Sequence, residues 1–178
     1  MSSSHESKTF VGFVAVACLA VGLVAGAAPQ QPPAPVALPD VQTLGPKVGS
    51  RIPDFTLRDQ QGQSRTLASL MGPKGLMLVF SRSADWCPYC KTQLAELQTR
   101  SAALKKEGIG LAAVTYDPVP ILADFAKRRG ITFPLLSDPT REVSQLFGMY
   151  DEGGQAIESG LVVLDPQGVV RLLLQGPS

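Results

Sequence analysis

Two cysteines set two residues apart, in Cys87-Pro88-Tyr89-Cys90, are the side chains of this chain best suited to chemistry. A disulfide between them closes too short a loop to restrain the unfolded chain much, so the pair does not staple a fold. It is a redox couple or half of a metal site. The single histidine, His5, lies far upstream. A Cys-His nucleophile or a Cys-His metal centre therefore cannot be assembled around the pair, and a four-ligand zinc site would need carboxylates or a second chain. No metal and no organic cofactor are expected.

The residues on either side must position the pair. Leu76-Met77-Leu78-Val79-Phe80 has the length and branching of a buried strand, and Leu94, Leu97 and Leu104 fall on one face of a helix that follows Cys90. The cysteines thus sit where a strand hands over to a helix. Unpaired amides and the positive end of the helix dipole at that point stabilise a thiolate. The first cysteine, Cys87, precedes the helix and is expected to be the more exposed and the attacking sulfur, with Cys90 pointing back under the first turn.

Trp86, Pro88 and Tyr89 are read as substrate-proximal, Trp86 as a packing lid beside the disulfide and Tyr89 as exposed. Lys91 either raises the positive potential near the thiols or faces water, and Arg82 either supplies charge to the thiolate or is a solvated turn residue. Asp117 and Asp138 read as turn and cap residues.

The rest of the chain divides readily. Residues 10–27 are almost wholly apolar after a polar start with one lysine, and Ala25-Gly26-Ala27 offers a small-residue cleavage site. Residues 1–28 are therefore expected to be a signal peptide, or an uncleaved anchor that tethers the protein to a membrane. A lipoprotein reading through Cys18 fits less well, because the apolar run continues past it. Residues 29–46 are proline-rich and read as a linker. The domain is expected over residues 47–178, with an extracytoplasmic location, in the periplasm or cell envelope. The formal net charge is +1 with no basic cluster, which gives no support to a nucleic-acid partner.

Within the domain, residues 54–57 and 64–67 flank a polar turn and predict a β-hairpin. Residues 109–115 read as a second apolar strand and residues 120–129 as a helix, so strand and helix alternate as in a parallel sheet with crossovers. A short apolar segment at 133–136, a small helix through Val143, Leu146 and Phe147, and a final hairpin turning at Asp165-Pro166-Gln167-Gly168 complete the pattern.

Five stretches, in order and spacing, carry a wider likeness: Pro53-Asp54-Phe55-Thr56-Leu57, the strand ending at Phe80, Trp86-Cys87-Pro88-Tyr89-Cys90-Lys91, Phe133-Pro134-Leu135-Leu136-Ser137-Asp138-Pro139, and Asp165-Pro166-Gln167-Gly168. Over about residues 46–173 the chain resembles the thioredoxin superfamily and, within it, the redoxin branch of alkyl hydroperoxide reductases, thiol-specific antioxidant proteins and other peroxiredoxins. The resemblance implies an α/β thioredoxin-like fold, a central mixed β-sheet flanked by helices with an N-terminal β-hairpin extension. It also implies a thiol oxidoreductase that reduces peroxides or disulfides through Cys87 and Cys90 and is reset by an external thiol reductant.

Two site assignments follow from the likeness and differ. Peroxiredoxins carry a threonine three residues before the attacking cysteine, and spacing from Phe80 puts that threonine position at Cys87 and the attacking sulfur at Cys90, with Gln93 fitting a pattern seen in some of them. Thioredoxin-like reductases attack with the first cysteine instead. Where a peroxiredoxin offers an arginine, or a thioredoxin-like protein a cis-proline, this chain has Ser159. The chain also stops soon after its last strand, so the closing helix common in the superfamily is expected to be absent or displaced. A rival reading of another class is a redox-inactive protein of the same fold that holds a thiophilic metal or a protein partner.

Overall fold

The computed structural model describes residues 45–149 and 159–176. The leader or anchor expected at 1–28, and nearly all of the linker expected at 29–46, lie outside them. In chain order the elements are β1 (Thr56–Asp59), β2 (Ser64–Thr66), α1 (Leu67–Leu70), β3 (Gly75–Phe80), α2 (Pro88–Lys106), β4 (Ile109–Thr115), α3 (Val119–Arg129), β5 (Leu135–Ser137), α4 (Glu142–Leu146), β6 (Gly160–Leu164) and β7 (Val170–Gln175).

One mixed sheet takes all the strands in the order β2-β1-β5-β4-β3-β6-β7. β3 lies at its heart, parallel to β4 and antiparallel to β6, with Phe80 opposite both Val114 and Gly160. Alternate residues of β3 face opposite ways, as the pleat requires. Leu76, Leu78 and Phe80 enter one core with Val162, Phe147 and Phe55, while Val79 enters another with Leu94, Leu122 and Phe125. The second core is the seat of α2 and α3. Leu94 and Leu122 are wholly buried in it, each contributing about 1.5–3 kcal/mol relative to an exposed side chain. Among the described residues no helix is long and apolar enough to cross a membrane.

The N-terminal hairpin is present and joins the sheet through antiparallel pairing of β1 with β5. Its first strand begins at Thr56, later than the sequence pattern starts, because Asp54 is used as a cap. One Asp54 carboxylate oxygen accepts the N–H groups of Phe55 and Leu67, both at 3.0 Å. Asp59 ends β1 fully buried. It accepts the amides of Gln61 and Gln63 at 2.9 and 3.0 Å and pairs with Arg65 at 2.6 Å.

The small helix of the sequence pattern is α4. Asp138 does cap it, accepting the Ser144 amide and hydroxyl, each at 2.8 Å. At the far end of the sheet the β6–β7 turn is closed by Asp165, which accepts the amides of Gln167 and Val169, both at 2.9 Å. Parallel strands β3, β4 and β5 all end on the opposite edge. That carboxyl-terminal edge is where open α/β sheets place their ligands, and here it carries the cysteine loop.

Candidate active site

Phe80 ends β3, and residues 81–86 lead from it to the cysteines. Cys87 is the N-cap of α2, with extended backbone angles (φ −87°, ψ 104°), and Pro88 takes the first helical position, where its fixed φ suits the helix and its missing N–H is no loss. The Cys87 sulfur accepts the Cys90 N–H at 3.2 Å, and the two sulfurs form a disulfide between Cα atoms 5.3 Å apart. The cysteine pair and the helix N-terminus are therefore one structure. The Cys87 sulfur stands where the first-turn amides and the positive end of the helix dipole meet.

Exposure does not separate the sulfurs as the sequence suggested. Cys87 is 6% and Cys90 3% exposed, with Cys87 both capping the helix and bonded to Cys90. Position at the helix end distinguishes them instead. Between them Tyr89 is 88% exposed, as expected, and Pro88 is also exposed.

Trp86 is a different matter. It is 53% exposed instead of packed as a lid, and its indole N–H donates to the Tyr116 hydroxyl at 2.5 Å. An indole has one donor to satisfy, and here the residue that follows β4 supplies the acceptor. The Arg141 guanidinium in turn lies 5.2 Å from the centre of the Tyr116 ring. Lys91 neither faces water alone nor touches a sulfur: its Nζ donates to the Asp85 carbonyl at 2.6 Å, reaching back past the pair. Arg82 is half-buried at the start of the loop. Gln93 accepts a long hydrogen bond from the Ser81 hydroxyl, 3.4 Å.

Asp117 was legible only as a turn residue, and the structure gives it more to do. It is 4% exposed and accepts from the Ser83 hydroxyl (2.8 Å), the Ala84 amide (2.6 Å) and the Thr115 hydroxyl (2.9 Å). The signal that could have found it is an acid two residues past a nearly apolar strand, a place where a charge must be hydrogen-bonded. Tyr116 and Arg141 gave no such signal. Ser159 continues the register past Gly160, on the same edge as the cysteine loop, and its carbonyl accepts the Gly176 amide at 2.6 Å.

A comparison with protein families matches residues 48–173 to the AhpC/TSA family. Alkyl hydroperoxide reductase E of Mycobacterium tuberculosis is 36% identical over 126 residues, 70% of this chain and 82% of that protein. A peroxiredoxin of Thermoplasma volcanium is 28% identical over 74% of this chain and 66% of its own length. Among solved structures, peroxidoxin BcpB of M. tuberculosis superposes with a TM-score of 0.66 at 26% identity, covering 72% of this chain and 84% of that one. Peroxiredoxin Q of Xanthomonas campestris gives 0.63 at 25% identity, over 70% and 81% of the two chains.

Proposed function

We propose that this chain, which belongs to the AhpC/TSA family, is a peroxiredoxin-like enzyme that reduces peroxides through Cys87 and Cys90, and that it works outside the cytoplasm. One observation carries the choice of residues. A pair of sulfurs already within bonding distance sits at the N-terminus of α2, with the first sulfur held by an amide of the helix.

The chemistry closes on these two side chains. A thiolate attacks one peroxide oxygen; the O–O bond breaks, the alcohol or water leaves with a proton, and the sulfur becomes a sulfenic acid. The second thiol then attacks that sulfur, water departs and the disulfide forms. An external thiol donor returns two electrons and restores the dithiol. The N-cap position favours Cys87 as the attacking sulfur. Exchange with a disulfide substrate is the second reading, favoured by the two-residue spacing, which suits direct release of a mixed disulfide.

Residues 1–28 act in this reading as a signal peptide or membrane anchor and residues 29–46 as a spacer to the domain at 47–178. The apolar run at 10–27 followed by small residues supports it. Amino-terminal sequencing of the protein recovered from the cell envelope separates cleavage from anchoring.

Rapid mixing of the reduced protein with hydrogen peroxide or a small disulfide, followed by the fluorescence of Trp86, tests the activity. Fast oxidation by peroxide that is lost in Cys87→Ser is the expected result. Loss in Cys90→Ser alone moves the attack to Cys90, a fast reaction with the disulfide only favours exchange, and a slow reaction with both reagents defeats the enzyme reading.

A further inference from the structure

The loop between β3 and α2 has backbone amides that no regular structure satisfies, and an amide left unpaired at the edge of a core is costly. Two side chains meet three of them. Asp117 takes the amide of Ala84, and the Ser83 hydroxyl takes those of Asp85 and Trp86 at 2.9 and 3.2 Å. A hydroxyl accepts in a fixed direction only when its own proton is committed, and the Ser83 proton is donated to Asp117 at 2.8 Å. The next residue is Cys87.

We propose that Asp117 is a positioning residue for the redox pair: through Ser83 it fixes the residues that present Cys87 as the cap of α2. This rests on the reading of Cys87 and Cys90 as that pair. The carboxylate does not touch a sulfur; it acts through the loop. Lys91 fastens the other side of the same loop at the Asp85 carbonyl, so Asp85 and Trp86 are held from both directions and the Cys87 backbone inherits their placement. A looser loop lets Cys87 turn away from the Cys90 amide, and the sulfur then loses its helix-end donor.

A buried carboxylate also stabilises a fold, and Thr115 separates the two roles. Its hydroxyl donates to the same carboxylate at 2.9 Å and accepts the Asp117 amide at 3.0 Å, but it belongs to β4 and makes no bond to the loop. In the full-length chain carrying Cys90→Ser, the rate of Cys87 alkylation by iodoacetamide at fixed neutral pH is measured for Asp117→Asn, Ser83→Ala and Thr115→Val, with the melting temperature of each. Asp117→Asn and Ser83→Ala should each slow alkylation about tenfold, the size of a lost helix-cap interaction. Together they should slow it little further, because they act on one path.

Thr115→Val should lower the melting temperature and leave the rate within about twofold of the parent. Should Asp117→Asn fail to fold, Ser83→Ala carries the same expectation. The proposal is overturned if Asp117→Asn and Ser83→Ala melt lower yet alkylate at the parent rate, or if Thr115→Val slows alkylation as much as they do. Failure of the underlying reading has a separate signature: the disulfide of the otherwise unaltered chain would then resist glutathione, and the proposal would go with it.

Discussion

Cys87 fills a place where serine, threonine, asparagine and aspartate are preferred, since their oxygens accept helix amides better than sulfur does. The chain gives up some capping strength there and gains a reactive group. Under reducing conditions Cys87→Ser should accordingly be more stable than the parent, by about 0.5 kcal/mol, while losing the ability to form the disulfide. Urea unfolding of both proteins in excess reductant measures this, and a less stable variant would mean that the sulfur caps as well as an oxygen. The pair and the exposure of Tyr89 could be read from the sequence because they depend on neighbours along the chain. Asp117, Tyr116 and the true setting of Trp86 could not. Their partners lie about thirty residues away, Ser83 to Asp117 and Trp86 to Tyr116, and no local spacing announces such a contact.

Elements were legible to the extent that burial repeats. β3, β4, α2 and α3 follow the apolar periodicity of their residues, and the ends of α3 show why: Pro118 precedes it and Gly130 closes it in the left-handed region, φ 65°. Elements defined by single polar side chains were harder to place. β1 starts late because Asp54 caps backbone, and the approach to β5 is held by Gln60, whose amide bonds the Phe133 carbonyl and the Leu135 N–H at 3.0 and 2.8 Å.

The β6–β7 hairpin depends on such a residue too. The Val169 N–H, and after it the Arg171 side chain and the Gln167 amide, hold the Asp165 carboxyl below the usual carboxylate range despite the opposing effect of desolvation. A carboxyl whose pKa is depressed by folding adds stability above its unfolded value, near 3.9, and loses it as pH falls through the folded one. The parent should therefore lose its advantage over Asp165→Asn on acidification from about pH 5 downward. Thermal melts of both across that range test this; a constant gap would assign the turn's stability to geometry alone.

For the molecule as a whole, the sheet order places three parallel strand ends, and so the cysteine loop, Tyr116, Asp117 and Asp138, along one edge. The likeness seen over about residues 46–173 agrees with the family match over 48–173; of the motifs that carry it, residues 86–91 and 137–139 lie on this edge and residues 165–168 turn the chain on the other. Ser159 sits there too, where the redoxin pattern would supply an arginine.

The oxidised form keeps α2 wound from Pro88 onward. The disulfide is thus compatible with a wound helix, and in the proposed reaction a sulfenic acid on one sulfur would find its partner within a single helical turn. Ring closure of this kind is unimolecular, whereas a second hit by peroxide depends on peroxide concentration. The enzyme should tolerate an oxidant surge: sulfinic acid, the irreversible product of that second hit, should stay scarce in the parent under large peroxide excess and accumulate in Cys90→Ser. Intact-mass measurement after a peroxide titration reads the two added oxygens directly. Equal accumulation in both proteins would show that the partner sulfur, close as it is, arrives too late.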